Sequence, residues 1–194
     1  MVHQSVKPKL VILISGRGSN MLSIIKAIDD GELNASIVAV ISNRPHAPGI
    51  SLAQQAGITT SFVDHEQFTS REKFDQALAK EIDLYQPDLV VLAGFMRILT
   101  TEFVEHFANR LINIHPSLLP KFKGLNTHQR AIEAGEKEHG ASVHFVTPEL
   151  DDGPIVLQAR VNILETDDAT TLAARVLEKE HKLYPDAIKL LINQ

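Results

Sequence analysis

Residues 9–15 read KLVILIS, with apolar side chains on every position from Leu10 to Ile14. A run with no polar face needs cover on both sides, which is the condition of a central strand in a parallel sheet. It stops at a glycine-rich turn, Ser15-Gly16-Arg17-Gly18-Ser19-Asn20, after which Met21, Leu22, Ile25 and Ile28 recur at helical spacing across 19–28. Strand, turn and helix in direct succession predict the opening unit of an α/β domain.

The alternation continues along the chain. Segments 36–42 (SIVAVIS), 59–63, 89–92 and 110–114 read as further strands. Between them lie helices at 50–56, closed by Gly57, and from Thr100 or Thr101 to Phe107. A third opens with Thr69 and Glu72 in capping-box register and carries Phe74, Ala77, Leu78 and Ile82 on one face until Pro87. Residues 117–125 read as a loop and 127–134 as a helix ending at Gly135. Segments 141–146 and 155–161 are expected to form an antiparallel pair across Asp151-Asp152-Gly153-Pro154. The last helix starts near Asp168 or Thr170, buries Leu172, Val176 and Leu183, and meets Pro185, whose missing N–H predicts a kink or restart. Residues 1–8 read as a flexible N-terminal extension to one domain spanning 9–194.

Composition narrows the class. A length of 194 residues fits one compact domain, and the absence of cysteine excludes a disulfide framework, a thiolate metal site and a cysteine nucleophile. That usage fits a reducing, cytoplasmic setting. Twenty-four acidic and 19 basic residues are interspersed at a net charge of -5, which opposes a nucleic-acid partner. No apolar run approaches the ~20 residues of a membrane span. The nine histidines make no ligand set with the carboxylates, and no HExxH is present, so no metal is expected.

The turn at 15–20 offers backbone amides and a helix N-terminus to a phosphate. Met21 stands where a dinucleotide fingerprint has its third glycine, and no Lys-Ser/Thr pair completes a P-loop. The plainer alternative is a tight turn that needs only small residues. Strand alternation puts Asn113 and His115 on one face at a carboxyl strand end, where ligands bind in α/β sheets. An amide donor beside an imidazole suits a reaction in which an oxygen becomes negative, such as acyl or formyl transfer. The alternative is a hydrogen-bonded histidine at a strand end. Asp151 and Asp152 are candidates to orient His115, or they serve only their own turn. His144 shares a face with Ser142 and Val146 and either approaches the site or packs.

Five motifs in one order, ISGRGSN at 14–20, LAGFMRIL at 92–99, NIHPSLLP at 113–120, GASVHFV at 140–146 and ELDDGPI at 149–155, resemble the folate-dependent formyltransferases. The likeness runs from Leu10 to Pro185. It implies a single-domain, three-layer formyltransferase (Rossmann-like) α/β fold, with a mostly parallel mixed sheet and helices on both faces. It further implies transfer of a formyl group from 10-formyltetrahydrofolate to the amine of 5-phosphoribosylglycinamide in de novo purine (IMP) biosynthesis. By the same likeness Asn113, His115 and Asp151 are the catalytic positions. Asn113 and a protonated His115 would hold the oxyanion, while Asp151 favours the charged ring and helps protons move through water.

The resemblance assigns Gly18, Ser19, Asn20 and Glu180 to the ribonucleotide. It assigns formyl folate to Arg71, Met96, Arg97, Ile98, Leu99, Asn113, Thr147, Pro148, Glu149, Leu150 and Asp151. Taken alone, Arg71 is an exposed first helical turn and 96–99 an apolar loop. The 117–125 loop resembles a segment that closes over the site and excludes water. Arg17, Asp152 and Leu177 depart from the family pattern, and Asp152 leaves open which carboxylate couples to His115. Partners implied are the two small-molecule substrates, with the chain a monomer or homodimer. A formyl-folate hydrolase would use the same trio with water as acceptor. A tRNA-directed relative is opposed by length and charge, and a binding module without catalysis by the intact trio.

Overall fold

The computed structural model describes residues 6–193; residues 1–5 of the expected N-terminal extension lie outside them. Strand β1 (Lys9–Ile14) pairs in parallel with β2 (Ser36–Ser42) on one side and β4 (Leu89–Leu92) on the other. Its consecutive apolar residues divide by alternation. Leu10, Ile12 and Ile14 enter one core with helix α1 (Ser19–Asp29) and helix α6 (Ala169–Ile192). Val11 and Leu13 enter a second core with helix α3 (Arg71–Asp83) and helix α4 (Thr101–His106). Two cores with one sheet between them make the three layers.

Seven strands of the described residues form one sheet in the order β3-β2-β1-β4-β5-β6-β7. Strand β3 (Thr60–Phe62) is a short edge, and β5 (Leu111–His115) pairs in parallel with β4. The last two strands, β6 (Glu138–Phe145) and β7 (Ile155–Asn162), add antiparallel pairs, as expected for a mixed sheet. From β1 the chain proceeds first outward through β2 and β3, then returns to place β4 on the other flank of β1. This reversal opens a crevice at the carboxyl ends of β1 and β4, where α/β sheets bind ligands.

Several boundaries differ from the sequence reading. Helix α2 (Pro48–Gln55) starts at the proline, whose fixed φ suits a first helical turn. Helix α3 is capped by Ser70, which accepts the Lys73 N–H at 3.3 Å, one residue later than the Thr69 register. Serine outranks threonine as a cap, and Thr69 accepts instead from Lys73 Nζ. Thr100 caps α4, and Asp168 caps α6 in a reciprocal box with Thr171. Strand β6 begins at Glu138 rather than at 141.

Helix α6 continues through Pro185 without the expected restart. Leu183 and Tyr184 before the proline and Ala187 and Ile188 after it are all buried in the first core. Their packing carries the helix past one absent hydrogen bond. The fully buried Tyr184 donates its hydroxyl to the Leu92 carbonyl at 2.8 Å, tying α6 to the sheet. Tyr184→Phe keeps the ring and removes this bond, so urea denaturation should show a loss of about 1 kcal/mol. An unchanged stability would mean that the bond does not hold the helix.

Candidate active site

His115 ends β5 and is buried, and Asn113 stands two residues before it on the same strand. Antiparallel pairing sets Asn113 opposite His144 and His115 opposite Ser142. His144 Nδ1 donates to the Phe145 carbonyl at 2.9 Å, which fixes the neutral ring with its proton there. Nε2 is then an acceptor, and Asn113 Nδ2 donates to it at 3.3 Å. Burial lowers the His144 pKa and keeps that ring neutral. One amide hydrogen of Asn113 is thereby held, and the second is left for another acceptor.

Asp151 reaches the same place from the β6–β7 turn. Its carboxylate lies 3.4 Å from His115 Nδ1 and 3.7 Å from His144 Nε2, and it accepts the Gly124 N–H at 2.9 Å. The backbone at Asp151 is left-handed, with φ 50. Gly153 closes the turn so tightly that an added Cβ would stand 1.8 Å from the Phe145 carbonyl oxygen, so only glycine fits. Asp152 points elsewhere and pairs with Lys123. The carboxylate beside His115 is therefore Asp151.

The 117–125 loop lies over this cluster. His115 Nε2 donates to the Phe122 carbonyl at 2.9 Å, and the Lys123–Asp152 pair and the Gly124–Asp151 bond join the loop to the β6–β7 turn. Behind Phe122, His139 Nε2 lies 3.1 Å from His128 Nδ1, and burial pushes His139 down to about 4. A cavity of about 230 Å3 borders Phe122, His139 and Lys121 there.

The residues expected to hold the ribonucleotide come together on the other core face. Gly18 has φ 75, a conformation that favours glycine, and opens α1; a Cβ there would crowd the Gly49 Cα at 3.3 Å. Ser19 begins the helix, and Asn20 Nδ2 donates to Glu180 Oε2 at 2.7 Å across to α6. Burial raises the Glu180 pKa, and the buried Asn20 Oδ1 has no protein partner among the described residues.

The expected folate residues are more scattered. Met96 and Ile98 are exposed on the loop after β4, Leu99 packs on the second core, and the Arg97 guanidinium lies 5.7 Å from the Phe74 ring centre. Arg97 Nε is buried without a protein partner among the described residues. Arg71, exposed at the start of α3, and Arg97 both act electrostatically on the buried Asp75 carboxylate, which accepts the Thr100 N–H at 2.6 Å. Thr147 Oγ1 bonds the Glu149 carbonyl at 3.3 Å, and Pro148, Glu149 and Leu150 are exposed. No group of three or more candidate ligands that could hold a metal ion occurs among the described residues. No helix of the described residues is long and apolar enough to cross a membrane.

Sequence reading left His144 between site and core, and the structure puts it against both Asn113 and Asp151. The Phe122 carbonyl was not foreseen at all, since a main-chain acceptor has no residue-type signal. The bonding of His144 predicts that nitrogen NMR at neutral pH finds it neutral with the proton on Nδ1. Because its folded pKa is lowered, the unfolded chain takes up the second ring proton, at Nε2, before the folded one does. The stability linked to it is complete above about 6.5 and drains as pH falls below that value. A ring protonated on Nε2 at neutral pH would contradict the arrangement.

Residues 8–188 match the family described as formyl transferase. A phosphoribosylglycinamide formyltransferase of Escherichia coli K12 is 53% identical over 176 residues, covering 91% of this chain and 83% of that protein. The structure of a phosphoribosylglycinamide formyltransferase from Coxiella burnetii is 53% identical, superposes with a TM-score of 0.91, and covers 95% of this chain and 86% of that one. A glycinamide ribonucleotide transformylase from Symbiobacterium toebii, 41% identical, gives 0.95 with 100% of this chain and 91% of that one covered. The chain belongs to the formyl transferase family.

Proposed function

We infer that this chain transfers the formyl group of 10-formyltetrahydrofolate to the amine of 5-phosphoribosylglycinamide, giving N-formylglycinamide ribonucleotide and tetrahydrofolate in de novo purine biosynthesis. The observation that carries this reading is the cluster of Asn113, His115, His144 and Asp151 at the carboxyl end of β5, in a chain 53% identical to a phosphoribosylglycinamide formyltransferase. When bound, the formyl folate supplies an electrophilic carbon and a nitrogen leaving group. The chain's own groups hold charge, move protons and keep water out.

Asn113 offers its second amide hydrogen to the formyl oxygen, oriented by the bond of the first to His144. His115 faces an acceptor at each ring nitrogen, Asp151 at Nδ1 and the Phe122 carbonyl at Nε2. When the loop carbonyl moves aside, Nε2–H becomes the second donor to the same oxygen. Asp151 lies near both imidazoles and accepts the proton that the attacking amine releases, directly or through water; as the oxyanion collapses the carbon–nitrogen bond to the folate breaks, and that proton is returned to the folate nitrogen, which leaves as tetrahydrofolate. With amide and imidazole supplying both donors, the reading assigns no metal to the step.

Exposed Met96 and Ile98 suit the flat rings of a folate, and the cationic Arg71 and Arg97 suit its carboxylates. Gly18, Ser19 and Asn20 with Glu180 suit a phosphoribosyl group at a helix N-terminus. Lack of cysteine fits work in the cytoplasm. All the proposed groups come from one chain, so a monomer or a homodimer serves equally.

Mass-spectrometric product analysis tests the reading. Formylated ribonucleotide should form only when the protein, 10-formyltetrahydrofolate and the ribonucleotide are all present. Formate released without ribonucleotide would mean a hydrolase instead. His115→Ala and Asp151→Asn should each lower kcat by about 100-fold or more while ribonucleotide binding is retained. Turnover at the wild-type rate in either variant would remove the roles assigned here.

A further inference from the structure

Ser15 ends the run KLVILIS and is the residue directly before the Gly16-Arg17-Gly18 turn. Its side chain is buried, and both its N–H and its hydroxyl are bonded. The N–H donates to the Gly94 carbonyl at 3.2 Å, and Oγ accepts the Met96 N–H at 2.7 Å. The same hydroxyl donates to Asn43 Oδ1 at 2.6 Å. Asn43 is itself buried, and its carbonyl accepts from His65 Nδ1 at 2.8 Å, so the group that orients the Ser15 hydroxyl is anchored in turn.

These bonds cross the crevice where the strand order reverses, from the end of β1 to the loop after β4. Gly94 takes φ 75 there, turning the chain so that residues 94–96 wrap around Ser15. Met96 opens the run through Leu99 assigned above to formyl folate, and the turn after Ser15 is assigned to the ribonucleotide phosphate. Neither bond belongs to the regular β1–β4 ladder, which pairs Leu10 to Leu13 with Leu89 to Leu92. Packing alone does not require a hydroxyl at this point, since alanine would fill the same strand position.

We propose that Ser15 is a positioning residue whose hydroxyl sets the folate loop from the end of the strand that opens onto the ribonucleotide turn. The assignment of the two loops to substrates rests on the function inferred above, while the anchoring does not. Loss of the hydroxyl leaves a main-chain N–H and a buried amide oxygen without partners. The loop after β4 then becomes mobile, while the turn at Gly18, held from Gly49 N–H to the Gly16 carbonyl at 3.0 Å, keeps its shape.

Ser15→Ala and Ser15→Thr test this, the second keeping the hydroxyl. In Ser15→Ala the KM for 10-formyltetrahydrofolate should rise about tenfold with the ribonucleotide KM unchanged. Ser15→Thr should restore it. In parallel, hydrogen exchange at the Met96 amide should quicken about tenfold in Ser15→Ala relative to the wild type, with no substrate present. Met96 exchange unchanged, or both KM values rising together, would overturn the proposal. A wild-type protein that transfers no formyl group would overturn the function reading alone, since the exchange measurement decides the anchoring without turnover.

Discussion

The carboxylate of Asp151 is 8% exposed and faces two imidazoles and one backbone N–H. A charge so withdrawn from water costs several kcal/mol unless it is met by donors or opposite charge. The turn must therefore hold Asp151 where those partners are, and it does so at φ 50, a conformation that aspartate tolerates better than most residues. Gly153 and the bond from Phe145 N–H to the Pro154 carbonyl at 2.9 Å lock that turn against β6. Through Gly124 the same carboxylate brings the 117–125 loop over His115. Removing the turn geometry would separate Asp151, His115 and the loop together.

The sheet supplies the rest of the placement. Parallel β1, β4 and β5 bring three carboxyl ends side by side, carrying the glycine turn, the loop after β4 and the Asn113–His115 pair. The antiparallel β6 then sets His144 directly opposite Asn113. Fold alone does not name a reaction. The proposed reaction is supported by the amide, imidazoles and carboxylate meeting within hydrogen-bond reach or close to it, at a crevice edge.

Local signals carried much of this into the sequence. The uninterrupted apolar run of β1 required cover on both faces, and both cores are built on its alternate residues. Alternation likewise put Asn113 and His115 on one face. Cross-strand register was out of reach, because nothing in the residues of β6 says which of them opposes Asn113; His144 therefore stayed ambiguous. The partner of His115 Nε2 is a main-chain carbonyl in a loop, which composition does not mark. Pro185 does not end the helix, because the local cost of a lost N–H is outweighed by burial on both sides of it. Asp151 and Asp152 are neighbours in sequence, and only the turn geometry sends one to His115 and the other to Lys123.

The central claim is that Asn113 Nδ2 and His115 Nε2 converge on the oxygen of the group being transferred, with the Phe122 carbonyl occupying that place until substrate arrives. The most direct measurement is a crystal structure with glycinamide ribonucleotide and tetrahydrofolate bound together. The account predicts the folate nitrogen and the ribonucleotide amine beside Asn113 and His115, the Phe122 carbonyl displaced from Nε2, and the phosphate at Gly18 to Asn20. Both ligands bound with the Phe122 carbonyl still on Nε2, or the reacting nitrogens remote from Asn113, would contradict it.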